Sequence, residues 1–131
     1  MGGAYGAAEH ADHFARLGEG AAIPLAVPNS PQFLGRSLGP ADLAALRERV
    51  PLACVRAEMP AVDLAALLAA LPEGIEALNG RGGIEMTDGL RLGVRGFIVA
   101  PDVIPGVAAC WRAWASGEEA RAEVAYAAFL P

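Results

Sequence analysis

The sequence contains no lysine: all ten basic residues among its 131 are arginine. A guanidinium keeps its proton at any ordinary working pH, so chemistry that needs a side-chain amine nucleophile has no group to perform it. Cysteine is scarce as well. Cys54 and Cys110 stand far apart, which fits a reduced, cytoplasmic chain better than a disulfide framework and reads as two small buried apolar residues. No apolar run reaches the roughly 18 residues of a membrane span. Met1 to Glu9 shows no basic region leading into an apolar run, so no secretory signal is visible. The net charge of -5 comes without an arginine-rich run, which argues against a nucleic-acid partner.

What is present is a core. Hydrophobic residues make up 54% of the chain, which excludes a disordered acidic protein and suits one domain over residues 1–131. Short apolar runs alternate with helical segments. A helical pattern over Ala7 to Leu17 comes first, then the apolar run Ile23 to Val27, stopped by Pro28. Gly39-Pro40 opens a helix, since proline suits the first helical position, and Leu43, Leu46 and Val50 give it one apolar face. The run Leu52 to Val55 follows. Pro60 opens a helix whose predicted buried stripe is Val62, Leu64, Leu67, Leu68 and Leu71. Ile75 to Leu78 runs into the glycine-rich Gly80-Arg81-Gly82-Gly83, a short helix covers about Glu85 to Leu92, and Phe97 to Ala100 is the last strand. Helical patterns over Pro105 to Ala115 and Glu118 to Phe129 close the chain.

The order is one helix, four βα units and a final helix, an α/β pattern that predicts a parallel sheet with crossover helices. The strands are apolar almost throughout, as strands covered on both faces are. In such a sheet, functional groups gather at the C-terminal ends of the strands. Those ends carry Pro28-Asn29-Ser30, Arg56-Ala57-Glu58, Asn79-Gly80 with the glycine loop, and Pro101-Asp102.

These segments resemble a known family. The stretch from Ile23 to Gly35 is similar to a fifth barrel strand that ends in Tyr-Asn-x-Pro and runs on to a glycine. Leu52 to Glu58 resembles a sixth strand written Ile-Lys-Glu or Val-Lys-x-Glu, and Gly93 to Pro105 resembles an eighth strand. Gly117-Glu118-Glu119-Ala120 and the terminal Phe129-Leu130-Pro131 match the helix that follows. Together they resemble the C-terminal half of the dihydrodipicolinate synthase / N-acetylneuraminate lyase family, over about Phe14 to Pro131. The resemblance implies strands five to eight of a (β/α)8 barrel with a following C-terminal helix, and a Schiff-base lyase or aldolase ancestry. Strands one to four, with the loop that in the family receives the substrate carboxylate, are expected to be missing.

The resemblance also places two losses. The lysine that attacks a 2-oxo acid falls on Arg56, and the tyrosine that relays a proton falls on Pro28. Asn29 and Pro31 keep the frame. An arginine used on substrate carboxylates falls near Phe33, three places from Arg36, and Tyr5 is too close to His13-Phe14 to stand readily for a strand-four tyrosine. No catalytic residue is intact on this reading, and no cofactor or metal is implied. Candidate ligand-rim residues are Asn29, Arg56, Glu58, Asn79, Gly80 and Asp102.

Other constellations read as structure. His10 and His13, with Glu9 or Asp12, form a solvated helix face rather than a metal site. Gly80 to Gly83 is a strand-to-helix turn rather than a phosphate cradle. Arg56 and Glu58 suggest an ion pair more than acid–base work with Asp102. Trp111 and Trp114 pack a helix. Three readings follow: a relic without activity of its own, an enzyme with altered, non-covalent chemistry on a 2-oxo or sugar acid, or a binding or regulatory half-barrel. The sheet should leave Leu25, Val27, Val55 and Ile98, or their neighbours, on a face that needs a cover. Self-association or a complementary half-barrel is the expected partner.

Overall fold

Proline, glycine and short acidic side chains set most element boundaries. The computed structural model describes residues 6–130. Helix α1 (Ala7–Gly18) begins where the Glu9 carboxylate reaches back 2.5 Å to the Gly6 N–H. Strand β1 (Leu25–Asn29) leads into a single turn, α2 (Pro31–Leu34), closed by Gly35 at φ +67°, a left-handed conformation that glycine adopts without penalty. Helix α3 (Pro40–Arg47) has proline in its first turn, and Asp42 accepts the Gly39 N–H at 2.8 Å. Then come β2 (Leu52–Ala57), α4 (Ala61–Ala69), β3 (Glu76–Asn79), a 3-10 turn over Arg81–Gly83, α5 (Met86–Leu92), β4 (Gly96–Phe97), α6 (Ile104–Ala115) and α7 (Glu119–Phe129).

The four strands lie side by side in the order β1-β2-β3-β4, all parallel. The alternation expected from the sequence is therefore present, and three details differ. Strand β1 runs through Pro28 to Asn29 instead of stopping before the proline. An edge strand tolerates this, because a missing N–H costs nothing on the side that has no neighbour. Strand β4 is two residues long rather than four, although the Ile98 N–H still donates to the Asn79 carbonyl at 2.8 Å. On α4, Leu64 and Leu67 are buried but Val62 is 76% exposed. Two residues along a helix is about 200° around its axis, so Val62 points away from the stripe that Leu64 starts.

The larger correction concerns which face is covered. Val27, Val55 and Ala77 are aligned across three strands and belong to the main core, with Leu43, Leu46 and Leu64 from the helices. Val27 and Val55 are therefore not on the open face; they point into the helix layer. Side chains alternate along a strand, so the other face carries Ala26, Cys54 and Glu76 in one row and Pro28, Arg56, Leu78 and Gly96 in the next. These are exposed or half-buried, and Ile98 beyond them is 41% exposed. A second core joins α5, α6 and α7 through Met86, Leu90, Val107, Cys110, Ala113 and Ala122, and Phe97 packs against both cores.

Candidate functional site

The C-terminal ends of the strands form one rim. Strand β1 brings Pro28 directly opposite Arg56 of β2, and Arg56 opposite Leu78 of β3. The two positions that the family resemblance assigns to tyrosine and lysine are thus neighbours on the uncovered face. Arg56 donates to Glu58 Oε1, two residues along and on the same face. Ser30 Oγ donates to Glu58 Oε2 at 2.6 Å. Glu58 is buried, and Gly80 makes room for it: a Cβ there would lie 2.5 Å from Glu58 Oε1. The ion pair read from the sequence is present. Ser30 stands in a strand-end segment named from the sequence but is not among the rim candidates; its place two residues after Pro28, just past β1, is the signal that marks it.

Asn29 and Asn79 face the other way. Asn29 lies in the core, where its amide donates to the Leu38 carbonyl and its Oδ1 accepts the Leu38 N–H, both at 2.9 Å. It pins the loop between α2 and α3 rather than offering itself to a ligand. Asn79 is fully buried and accepts the Gly80 N–H at 2.6 Å, with its Nδ2 unpartnered among the described residues. Asp102 sits exposed in the 3-10 turn after β4 (Pro101–Val103), and no hydrogen bond or ion pair among the described residues joins it to the Ser30–Glu58–Arg56 group. The rim candidates therefore split: Arg56, Glu58 and Gly80 come together, Asn29 and Asn79 support from beneath, and Asp102 stands alone.

The glycine loop is committed to the fold. Gly83 and Ile84 donate to the Gly80 and Arg81 carbonyls, and the Glu85 N–H donates to the Tyr126 hydroxyl at 2.7 Å. Arg81 pairs with Glu85, whose carboxylate also accepts the Ala61 N–H at the start of α4. These amides are spent inside the protein and do not point at an anion. Tyr126 ties α7 to this loop from forty-one residues away, a contact no local pattern announces.

The histidine face is likewise occupied. Glu9 holds the Gly6 N–H, Asp12 pairs with Arg49, and His10 and His13 both set their rings edge-on to Phe14. His10 is half-buried rather than fully solvated. The Arg49 guanidinium holds the Asp12 carboxyl below its ordinary range. Trp111 packs edge-on to Phe97, and Trp114 carries the Arg91 guanidinium 5.6 Å from its ring centre. Burial pushes the Cys54 and Cys110 thiols up. Tyr5 lies outside the described residues.

Solved structures share this architecture. A sialic acid aldolase from Ruminococcus gnavus matches 98% of the chain with a TM-score of 0.85 and 17% identity. The fold is that of part of a dihydrodipicolinate synthase or sialic acid aldolase barrel. Dihydrodipicolinate synthase from Aquifex aeolicus matches 88% of the chain (TM-score 0.74, 22% identity). A prophage protein of the dihydrodipicolinic acid synthase family from E. coli K12, solved with pyruvate, matches 93% (TM-score 0.81, 19% identity). The chain spans less than half the length of each: 44%, 41% and 43% respectively. No family model matches the sequence, and no curated protein sequence does.

Proposed function

We propose that this chain is the strand-five-to-eight portion of a dihydrodipicolinate synthase / N-acetylneuraminate lyase barrel that has lost the Schiff-base step and has no lyase activity by itself. One observation carries the reading. On the uncovered face, at the strand ends where a barrel enzyme does its chemistry, Arg56 stands beside Pro28 in a chain without lysine. An amine must shed its proton to attack a carbonyl, and a guanidinium does not do so. Proline has no hydroxyl to relay the next proton. The uncovered face needs another surface against it, from self-association or a complementary half-barrel.

A second reading, non-covalent binding of a 2-oxo acid or sugar acid, has its own support. The Arg56 side chain is 37% exposed and its buried Nε has no partner among the described residues, so the guanidinium is only partly engaged by Glu58. An arginine fork suits a carboxylate.

The test is Arg56→Lys assayed for cleavage of N-acetylneuraminate and of a 2-oxo-3-deoxy sugar acid. Groups that act as a unit fail together, so restoring one of them restores little. The expected result is no cleavage above background. Measurable turnover by this single variant would show that the missing parts matter less than the lysine position, and cleavage by the unsubstituted chain would overturn the reading.

A further inference from the structure

We infer that α7 sets the shape of the rim: Tyr126 is a positioning residue that holds the glycine loop, and the loop in turn fixes where the Glu58 carboxylate lies. Every group involved belongs to this chain, and the link stands whichever chemistry the rim has. The loop needs holding. Between Arg81 and Glu85 only Ile84 lies outside the left-handed region: Arg81 is at φ +54°, Gly82 at +64°, Gly83 at +87° and Glu85 at +57°. Glycine adopts this conformation freely, but Arg81 and Glu85 carry side chains that disfavour it. Such residues persist where their surroundings over-determine them.

The contacts that do so come from other elements. Tyr126 Oη accepts the Glu85 N–H at 2.7 Å. The Glu85 carboxylate accepts the Ala61 N–H of α4 at 3.0 Å and pairs with Arg81. Both non-glycine residues are thus tied through Glu85, and Tyr126 holds the Glu85 backbone itself. Phe129, one turn further along α7, seats the tyrosine. Its ring lies edge-on to Tyr126 with 5.6 Å between centres, in a notch that two glycines leave open. A Cβ on Gly106 would lie 2.6 Å from the Phe129 Cβ and ring, and one on Gly83 would lie 3.0 Å from its Cε2. Larger residues at these positions would push the ring out.

The far end of the loop meets the rim. A Cβ on Gly80 would lie 2.5 Å from Glu58 Oε1, so the loop is the wall that Glu58 rests on. Asn79 Oδ1 accepts the Gly80 N–H at 2.6 Å, and the Gly80 carbonyl accepts the Gly83 N–H at 3.1 Å. Glu58 meanwhile accepts from Ser30 and Arg56. Contacts therefore run without a break from Tyr126 through Glu85, the glycine turn and Gly80 to Glu58 and Arg56. Tyr126 bonds to no rim group among the described residues and acts through the loop. Helix α7 also has an anchor of its own: Arg91 of α5 donates from Nε to Glu119 at 2.8 Å and pairs with Glu123. Removing the Tyr126 hydroxyl therefore cuts the link to the loop without undocking the helix.

Coupling is measured by disturbing one end of such a set of contacts and reading the other. The experiment is Tyr126→Phe in this chain, read by NMR. The ring is kept, so a shift at Glu58 reports movement of the loop rather than loss of a ring. Exchange of the Glu85 amide should quicken about tenfold. The Gly80 amide and the Glu58 side-chain carboxyl carbon should both shift, while the resonances of Leu43 and Leu64 in the main core stay in place. Phe129→Leu, which removes the ring that seats the tyrosine, should move the same Gly80 and Glu58 signals. Changes that stop at Glu85 in the Tyr126→Phe variant, or never reach it, would overturn the inference, because α7 would then serve packing alone. Equal shifts of Gly80 and Glu58 on Val124→Ala, a change on the exposed side of the same helix, would overturn it too.

Discussion

The two faces of the sheet are packed to different degrees. Toward the helices, Val27, Val55 and Ala77 are at most 2% exposed and lock against Leu43, Leu46 and Leu64, all fully buried. On the other side stand an exposed Ala26, a half-buried Cys54 and an arginine paired with its own near neighbour Glu58. The helix side is packed as a finished core is packed. The open side is looser and more polar, with the Ser30 hydroxyl and the Arg56 guanidinium both donating to Glu58. Core and rim occupy alternate residues of the same strands, so side chains on the open face can differ without disturbing the packing against the helices.

Mutations should separate the faces. Leu64→Ala empties a fully buried site and should cost about 2–5 kcal/mol in denaturant melts. Leu78→Ala, on the open face, should cost less than about 1 kcal/mol; equal losses would mean both faces are packed. Glu58→Gln removes the counter-ion of Arg56 and weakens the bond from Ser30. Arg56 is more than a third exposed, so screening limits the loss to about 1–2 kcal/mol, and a neutral result would show that the Ser30–Glu58–Arg56 group holds nothing in place. The smallest effect is chemical. Cys54 lies half-buried on the open face and Cys110 is fully buried in the second core, so a thiol reagent should label Cys54 first. Because burial raises both thiols, the labelling rate should keep climbing with pH beyond the ordinary thiol range. The stability these neutral thiols contribute is complete below the unfolded-state pKa and falls as pH rises toward the folded one. Labelling of Cys110 ahead of Cys54 would reverse the assignment of faces.

The order of elements was readable because each boundary has a local cause. Pro40 opens a helix, and the Leu43, Leu46, Val50 spacing names its buried face. The phase of the strands was not readable. In Leu25 to Asn29 every residue but the last is apolar or proline, so period two leaves no polar mark to say which side meets the helices. Val62 was misplaced for the same reason: α4 is apolar nearly all round. At the site, Arg56 and Glu58 could be paired from their spacing, whereas the inward turn of Asn29 and Asn79 depended on strand phase. The bond from Tyr126 to Glu85 depended on how α7 packs, which no local pattern records.

On the proposed reading, Arg56 occupies the position where a Schiff base would form, and the chain has no lysine to replace it. Incubating the chain with pyruvate and borohydride and measuring intact mass tests it most directly. The expected result is no adduct apart from one at the N-terminal amine; a stable pyruvyl adduct on an internal residue would refute the reading.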